Sequence, residues 1–354
     1  MQTNDMERYC VIMAGGIGSR FWPLSKTGRP KQFLDVLGTG KSFIRATFER
    51  FLPIVPASRF LVVTNAAYRQ LVLEQLPELD ASQVLCEPMR RNTAPCIAYA
   101  TWRILSRCRE ASVVVTPADH LVTNEAEFQR VVGQGLDFVE ADRKALMTIG
   151  IKPSRPETGY GYIEVEHGAG QGGIVPVASF KEKPDLDNAR RFVEAGNYYW
   201  NSGIFIWSTD AIVDSFRRFL PAMADLFDQG HGLYGTDAEQ AFIDRQFAQC
   251  ENISIDYGIM ERSGDRYTMC ADFGWSDIGT WGSLYTHAVH DAAGNAVQGR
   301  AVLEGTTASV VNIEPGYEAV VQGLDRCLVA LRDHSLLVCR LDDEQQIKHW
   351  VERL

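Results

Sequence analysis

Apolar runs of five to seven residues alternate with amphipathic stretches over the first 150 residues of the chain. Runs such as RYCVIMA (8–14) and RFLVVTN (59–65) have the length and β-branched content of buried strands. Strands that alternate with helices predict βαβ units, in which a largely parallel sheet carries helices on both faces. The pattern predicts strands at 8–14, 59–65, 82–88 and 145–151, a strand followed by a loop within 112–120, and helices at 42–52, 66–76, 92–108 and 125–141.

The texture changes in the second half. Residues 155–210 contain three strand-like runs and one helical run, which we predict to form a lobe that covers one end of the sheet. A helical stretch follows to about residue 265. After Gly294 short strands follow one another closely, and the amphipathic run EQQIKHWVERL ends the chain. The pattern therefore predicts a large domain over 1–290 and a small β-rich domain over 291–354.

Candidate polar residues follow several of the predicted strands. Open α/β sheets bind ligands beyond the carboxyl ends of their strands. Gly15, Glu87 and Asp119 each come just after a predicted strand. We therefore expect these three residues to gather on one rim of the sheet.

Composition narrows the class of protein. The chain has 354 residues, and its hydrophobic fraction of 45% is typical of globular proteins. Its formal net charge of -10 argues against a nucleic-acid partner. Its eight cysteines form no CxxC pair, so we expect reduced thiols. The first ten residues are polar, and no apolar run reaches the roughly 18 residues of a membrane span. These features predict a cytoplasmic protein without a membrane partner.

The stretch IMAGGIGSRFWPLSKTGRPKQF (12–33) combines three glycines with four cations, Arg20, Lys26, Arg29 and Lys31. Glycines let phosphate oxygens approach backbone N–H groups, so the stretch suits a polyphosphate. It lacks the Lys-Ser/Thr of a P-loop and the third glycine of the GxGxxG dinucleotide motif. The alternative is an ordinary glycine-rich turn with solvated cations.

Seven ordered motifs carry a resemblance to a known family. The chain resembles the sugar-nucleotide pyrophosphorylases, and among them most closely the mannose-1-phosphate guanylyltransferases. The resemblance covers about residues 10–285. It implies a Rossmann-like α/β nucleotidyltransferase fold, of the glycosyltransferase-A-like kind, with a mixed sheet. The motifs are AGGIGSRFWPLSKTGRPKQFL (14–34), EPMRRNTAP (87–95), VTPADH (115–120), TGYGYIE (158–164), FKEKP (180–184), NSGIF (201–205) and DFGWSDIGTW (272–281).

The resemblance implies the conversion of GTP and mannose 1-phosphate to GDP-mannose and pyrophosphate. The attacking phosphate oxygen is already ionised, so the chemistry needs cations, backbone donors and a metal rather than a strong base. The family pattern implies that Asp119 and Asp277 hold Mg²⁺, which prefers one or two carboxylates plus substrate oxygens and water. Either aspartate could instead be a helix cap or a turn residue, and capping is the main alternative for Asp277, which precedes a predicted helix. Asp272 is a lower-ranked alternative ligand.

The resemblance also assigns the substrate-binding residues. Arg20 and Lys31 are expected on the triphosphate as catalytic cations, and Asp119 also belongs to the nucleotide site. The other residues expected to contact the nucleotide are Ala14, Gly15, Gly16, Gly18, Ser19, Glu87, Pro88, Arg90, Asn92 and Thr93. The residues expected around the mannose phosphate are Tyr160, Gly161, Glu182, Lys183 and Asn201.

Several alternatives stay open at this stage. A nucleotidyltransferase with another sugar or base is one, a catalytically silent regulatory subunit is a second, and a dinucleotide-dependent oxidoreductase is a third. Trp275 and Trp281 flank Asp277, and we expect them to be core residues. The chain ends after the β-rich tail, which implies a single-activity enzyme without an isomerase domain. Family behaviour implies a homodimer.

Overall fold

A computed structural model describes residues 6–16, 18–166 and 173–354. Contacts divide the chain into two compact units. Unit 1 comprises Met1–Gly15, Phe48–Ala118 and Val122–Trp275, and unit 2 comprises Gly16–Thr47, Asp119–Leu121 and Ser276–Leu354. The functional division into a catalytic domain (1–290) and a β-rich domain (291–354) stays a prediction, since the contact units group the residues differently.

The described residues include seventeen strands and ten α-helices. The strands are β1 (Glu7–Met13), β2 (Phe60–Asn65), β3 (Val84–Glu87), β4 (Ala111–Pro117), β5 (Leu121–Val122), β6 (Leu146–Ile151), β7 (Gly161–Val165), β8 (Ile174–Glu182), β9 (Tyr198–Ser208), β10 (Arg266–Ala271), β11 (Trp275–Ser276), β12 (Ala296–Gln298), β13 (Arg300–Glu304), β14 (Val310–Ile313), β15 (Glu318–Gln322), β16 (Cys327–Arg332) and β17 (Ser335–Arg340). The helices are α1 (Phe43–Phe51), α2 (Arg69–Gln75), α3 (Thr93–Leu105), α4 (Glu125–Ala141), α5 (Leu186–Ala195), α6 (Thr209–Phe219), α7 (Pro221–Asp228), α8 (Glu239–Phe247), α9 (Trp281–His287) and α10 (Ile347–Val351).

Unit 1 is built on a nine-stranded sheet of order β3-β2-β1-β4-β9-β6-β10-β8-β7. The four strands from β3 to β4 are parallel, as the alternating pattern predicts, with Val11 paired to Leu61 on one side and to Val115 on the other. β9 then runs antiparallel between β4 and β6. The sheet is therefore mixed, and the predicted α/β fold class is confirmed.

Helices cover both faces of this sheet. Along β1, Tyr9 and Val11 pack into the same apolar cluster as α3, whereas Arg8, which points the other way, donates from Nε to Glu140 Oε1 of α4 at 2.8 Å. Side chains of successive strand residues point to opposite faces, so α3 and α4 lie on different sides. The sequence predicts an apolar stripe on α3, but every residue from Ala94 to Ile104 is buried.

Two predictions for the second half need correction. β7, β8 and β9 do not form a separate lobe, because they pair with one another and with β10, β6 and β4 in the main sheet. β10 was not predicted at all. It lies between β6 and β8, and Met269, Cys270 and Ala271 are buried there although the run RYTMCA begins with polar residues.

Unit 2 contains the β-rich tail. Its strands form a four-stranded sheet of order β12-β14-β16-β17 and a two-stranded parallel sheet of β13 and β15. The short strands predicted after Gly294 are present, and α10 forms the centre of the predicted final helix. Within unit 2 the buried side chains of this sheet share a core with Phe21, Leu34 and Trp281.

Two further expectations concern cysteines and membranes. All eight cysteines are free thiols, five of them buried, so the prediction of reduced thiols is confirmed. Burial raises the pKa of Cys10 and Cys96 well above the usual value, so these thiols are held as small apolar groups. Among the described residues, no helix is both long and apolar enough to span a bilayer.

A pair of glycines in the tail tests the packing of unit 2. Gly299 and Gly316 have nearly the same backbone angle, φ +96° and +95°, but a Cβ at Gly299 would overlap the Ile313 carbonyl oxygen, whereas a Cβ at Gly316 would meet nothing within 4 Å. Both alanine substitutions carry the strain of positive φ, about 1–2 kcal/mol. Gly299→Ala should cost roughly 1–3 kcal/mol more, because of overpacking. Thermal melts of both variants measure the difference, and equal losses would contradict this packing.

Candidate active site

The glycine loop, defined as residues 14–16 and 18–20, follows β1. Ala14 is tied into unit 1, since its N–H donates to the Val63 carbonyl oxygen at 2.8 Å and its carbonyl oxygen accepts from Thr64 Oγ1 at 2.8 Å. The chain then reaches the exposed residue Gly16. Ser19 and Arg20 are also exposed, on a single turn of 3-10 helix. The loop therefore presents backbone and one guanidinium to solvent.

Lys31 is the buried cation of unit 2. Its side chain is only 3% exposed, and its ammonium donates to three oxygens: the Asp119 carbonyl at 2.9 Å, Asp119 Oδ2 at 3.1 Å and the Asp277 carbonyl at 2.6 Å. An ammonium has three N–H donors, so all of them have partners. The rings of Phe43 and Phe21 lie 4.9 and 5.7 Å from the nitrogen. Lys31 thus draws together two acidic residues that are far apart in sequence.

Gly18 makes room for the Lys31 side chain. It adopts φ +68°, and a Cβ at this position would lie 2.6 Å from Lys31 Cβ. A larger residue would therefore be strained in its backbone and would also displace Lys31. This explains one glycine of the loop by packing alone, without reference to a ligand.

Asp119 is held as a carboxylate by its surroundings. Burial works to raise its pKa, but Lys31 and the neighbouring His120 outweigh that effect and hold the pKa below its ordinary value. A carboxylate stabilised in this way is ionised at neutral pH and carries lone pairs suited to a hard cation.

Asp277 does not cap the helix that follows it. Thr280 is the N-cap of α9, since its side chain accepts from the Ser283 N–H. Asp277 Oδ1 instead accepts from the Gly279 N–H at 2.9 Å, across Ile278, whose φ is +41°. Strained backbone of this kind is concentrated at functional sites. The alternative that Asp277 caps this helix is therefore wrong, whereas its bond to the Gly279 N–H fits the alternative of a turn residue.

The donor set at Lys31 suits magnesium in its chemistry. Asp119 and Asp277 supply carboxylate oxygens, which Mg²⁺ prefers, and Mg²⁺ takes its other ligands from substrate and water. In the described part of the chain no group of three or more His, Cys, Asp or Glu side chains could hold a metal alone. The other candidate, Asp272, is exposed and belongs to unit 1.

Glu87 ends β3 in unit 1 and is only 7% exposed. Burial raises the pKa of its carboxyl to about 7, although the Cys96 thiol and Arg90 act to lower it. Its Oε2 would lie 3.4 Å from a Cβ at Gly15, so the expected meeting of Gly15 and Glu87 at one rim is confirmed. Its Oε1 is buried and finds no hydrogen-bond partner among the described residues. A buried oxygen without a partner is costly unless a ligand satisfies it.

The residues after Glu87 lead into α3. Asn92 has φ +68°, and its side chain accepts from the Thr93 N–H, while Thr93 Oγ1 accepts from the Ile255 N–H at 2.9 Å. Both polar side chains therefore serve the helix terminus and its neighbour. Pro88 is half-buried and Arg90 is exposed. Contact of these four residues with a nucleotide stays a prediction.

The residues predicted around the sugar phosphate come together in unit 1. Gly161 pairs with Glu182 across β7 and β8, and a Cβ at Gly161 would overlap Glu182 Oε2 and lie 3.5 Å from Asn201 Cβ. Lys183 follows with φ +44°, and its ammonium is 2.5 Å from Glu182 Oε1. The bare backbone of Gly161 thus lies beside a carboxylate and an amide. Tyr160 packs edge-on against Trp200 and Trp275, with ring centroids 5.2 and 5.3 Å away.

Trp275 and Trp281 are 7% and 0% exposed, so their prediction as core residues is confirmed.

Asp256 was not among the predicted site residues. It is the first residue of a π-helical turn, Asp256–Met260, and its Oδ1 accepts from Asn201 Nδ2 at 2.7 Å. The only available signal was an aspartate in the middle of the short, mostly apolar run ISIDYGIM (253–260), and such an aspartate is common at ordinary helix starts.

The surroundings of Asp256 shift the pKa of its carboxyl group upwards. Burial and the charge of Glu182 raise the pKa of its carboxyl to about 6, while Asn201 and Lys183 act to lower it. Two carboxyl groups and one ammonium thus share this part of unit 1. Perturbed carboxyl groups of this kind cluster at functional sites.

Comparison with known proteins places the chain among nucleotide-transferring enzymes. A family model described as "Nucleotidyl transferase" matches residues 9–294. The xanthan biosynthesis protein XanB of Xanthomonas campestris pv. campestris is 37% identical over 347 residues, which are 97% of this chain and 72% of that protein. A mannose-1-phosphate guanylyltransferase of Escherichia coli (strain K12) is 36% identical over 98% of this chain and 73% of that protein. The solved structure titled mannose-1-phosphate geranyltransferase, from Thermus thermophilus, has a TM-score of 0.86 and 31% identity, and covers 98% of this chain and 99% of its own.

Burial of Glu87 predicts a pH-dependent stability. The pKa of Glu87 is raised from 4.5 to about 7, so the folded state binds this proton more tightly than the unfolded chain does. Its contribution to the free energy of unfolding is therefore present below pH 4.5 and is lost as pH rises through 7. Relative to wild type, Glu87→Gln should gain stability between pH 5 and pH 8, by at most about 3 kcal/mol. Melting temperatures at both pH values measure this gain, and the exposed Glu74→Gln is the control. Equal pH responses of the two variants would contradict the buried-acid interpretation.

Proposed function

This chain belongs to the nucleotidyl transferase family, and from that premise we propose that it is a mannose-1-phosphate guanylyltransferase. It transfers the guanylyl group of GTP to α-D-mannose 1-phosphate and releases diphosphate. Two lines support the proposal: the near full-length similarity to proteins of that name, and the seven motifs in family order.

One observation carries the proposal. The buried ammonium of Lys31 donates to the carboxylate of Asp119 and to the backbone carbonyl of Asp277, and these two residues belong to separate motifs. Lys31 thereby brings the motif that contains Asp277 next to the Asp119 carboxylate. The arrangement suits an enzyme that must hold a cation beside a polyphosphate.

The chemistry needs positioning more than proton transfer. The phosphate of mannose 1-phosphate is ionised and can attack the α-phosphorus in line, with diphosphate as the leaving group. The obstacle is the mutual repulsion of two anions, which fixed cations and backbone donors reduce. Exposed Arg20 offers a planar fork to the leaving diphosphate oxygens, and the N–H groups of Gly15, Gly16 and Gly18 can approach phosphate closely.

Asp119 and Asp277 are the residues that would hold Mg²⁺. When bound there, the ion would supply positive charge to the phosphate oxygens. The residues themselves supply two carboxylates. That of Asp119, whose side chain is 33% exposed, is kept ionised by Lys31 and His120. Lys31 then holds the Asp119 carboxylate and the backbone of Asp119 and Asp277 in place, because its three donors already have these partners within unit 2. Direct contact between Lys31 and the triphosphate stays a prediction.

Residues of unit 1 are the ones proposed to bind the guanine base and the sugar. Guanine presents N–H donors on one edge, and the Glu87 carboxylate, with one oxygen lacking a partner among the described residues, is a suitable acceptor. For mannose, Glu182 accepts from hydroxyl groups, Lys183 attracts the 1-phosphate, and the bare backbone of Gly161 allows close approach. Tyr160 and Asn201 complete this set. We also propose a cytoplasmic location and a homodimer, with no nucleic-acid partner.

The direct test is turnover of the purified protein. With GTP, mannose 1-phosphate and Mg²⁺, release of diphosphate is expected. A substrate panel of UTP, dTTP and ATP, each with mannose or glucose 1-phosphate, tests specificity. A clear preference for UTP and glucose 1-phosphate would reassign the protein within the family, and absence of turnover with every pair would favour a silent regulatory subunit.

Asp277→Asn tests the proposed metal ligand. We expect kcat/KM to fall by about 100-fold or more, because a neutral amide binds Mg²⁺ weakly and charge stabilisation of several kcal/mol is lost. Asp272→Asn, an exposed aspartate of the same motif, is the matched control and should keep near wild-type activity. Thermal melts check that both variants fold. Full activity of Asp277→Asn at saturating Mg²⁺ would remove it as a ligand.

Arg20→Lys tests the guanidinium fork. Loss of one charge-assisted hydrogen bond predicts a decrease in kcat of roughly 10-fold or more, measured by diphosphate release at saturating substrates. Arg29→Lys, at an exposed arginine nearby in the sequence, makes the same chemical change and should be neutral. If the two variants have the same kcat, Arg20 makes no bidentate contact in the transition state.

A further inference from the structure

The amide of Asn201 is oriented by two partners that can act in one direction only. The Gly203 N–H, 3.2 Å from Asn201 Oδ1, can only donate, and an ionised Asp256, 2.7 Å from Asn201 Nδ2, can only accept. Thr148 Oγ1 lies 3.0 Å from Oδ1 and 3.1 Å from the Ile204 carbonyl oxygen, and its single proton can serve only one of these two acceptors at a time. The Gly203 N–H and the Asp256 carboxylate therefore fix which end of the amide is oxygen and which is nitrogen, and one N–H of the amide is used by Asp256.

The second N–H of the Asn201 amide is the donor that this orientation can offer to a ligand. The side chain lies next to Gly161, where a Cβ would meet Asn201 Cβ at 3.5 Å and would also meet the Glu182 carboxylate. An oxygen atom of a ligand, and not a donor, is what such a group can recognise. Glu182 provides the complementary acceptor for ligand hydroxyl groups.

Asp256 stands on a fixed support. The residue before it, Ile255, is fully buried, and its N–H donates to Thr93 Oγ1 at 2.9 Å. The Ala94 N–H donates to the Ile253 carbonyl oxygen at 3.1 Å. The first turn of α3 therefore anchors the segment that presents Asp256, and π-helical turns such as Asp256–Met260 are frequent at functional sites.

We propose that Asp256 is a positioning residue for the sugar 1-phosphate, which holds the Asn201 amide so that its one remaining N–H is offered to a ligand oxygen. The inference rests on the proposed function, because it concerns the sugar half of the same site. Asp256 acts through Asn201 by accepting a hydrogen bond, and it does not touch the reacting atoms.

The charged groups around Asp256 sharpen the test. Glu182 raises its pKa and Lys183 lowers it, and Tyr257 and Glu261 lie on the same turn or just after it. A role through charge and a role through hydrogen-bond acceptance therefore predict different behaviour of Asp256→Asn. The asparagine loses the charge but retains a carbonyl oxygen that can accept from Asn201.

Three single variants and one double variant test the proposal, with KM for mannose 1-phosphate and for GTP measured separately. Asp256→Ala should raise KM for mannose 1-phosphate by roughly 10–100-fold, the effect of losing a hydrogen bond to a charged group. KM for GTP should stay within about 2-fold, and Asp256→Asn should recover most of the loss, within about 3-fold of wild type, because acceptance is retained. In the Asn201→Ala background, Asp256→Ala should add less than about 2-fold, since coupled residues are not additive.

Binding of the product gives a second readout. Measured by calorimetry, Asp256→Ala should weaken the binding of GDP-mannose and leave the binding of GDP unchanged. The proposal is overturned if Asp256→Asn is as impaired as Asp256→Ala, if the two losses add in the double variant, or if KM for GTP rises equally. Failure of the proposed function is distinguishable, because wild type itself would then prefer another sugar 1-phosphate. The same four variants are compared on that preferred substrate, with the same expected pattern.

Discussion

Burying an ammonium group costs several kcal/mol unless oxygen atoms replace its water, and this requirement of Lys31 organises the acidic part of unit 2. Its three donors contact Asp119 twice and Asp277 once, while Phe21 and Phe43 exclude solvent. Gly18 lies so close to the Lys31 side chain that any larger residue at position 18 would displace Lys31. One buried charge thus holds the Asp119 carboxylate and the Asp277 backbone together within unit 2.

The carboxyl groups of the proposed site are set apart by their surroundings rather than by their type. Asp119 has its pKa lowered by Lys31 and His120, in spite of burial, whereas burial raises the pKa of Glu87 to about 7 and that of Asp256 to about 6. A carboxylate that must attract a cation needs neighbouring positive charge that keeps it ionised, as at Asp119. A carboxyl group that must accept from N–H donors tolerates burial, because each donor that it gains favours its ionised form.

Prediction from sequence succeeded where one element carries its own signal. β1 to β4 are short β-branched runs that would be buried in any parallel sheet, and α4 begins and ends at the predicted residues. It failed where burial depends on neighbours. β10 begins with polar residues and is buried because it lies between β6 and β8, and β7, β8 and β9 extend the main sheet because their edges pair there.

The sequence by itself determined the alternating α/β architecture, the β-rich tail, the family and the residue types of the proposed site, since periodicity and motif order are properties of the linear chain. The tertiary structure alone decided that Lys31 is committed to Asp119 and Asp277 and that Thr280 caps α9 in place of Asp277. It alone revealed Asp256 as the partner of Asn201. The physical reason is that hydrogen-bond partners and burial are set by residues far apart in sequence, which no local pattern encodes.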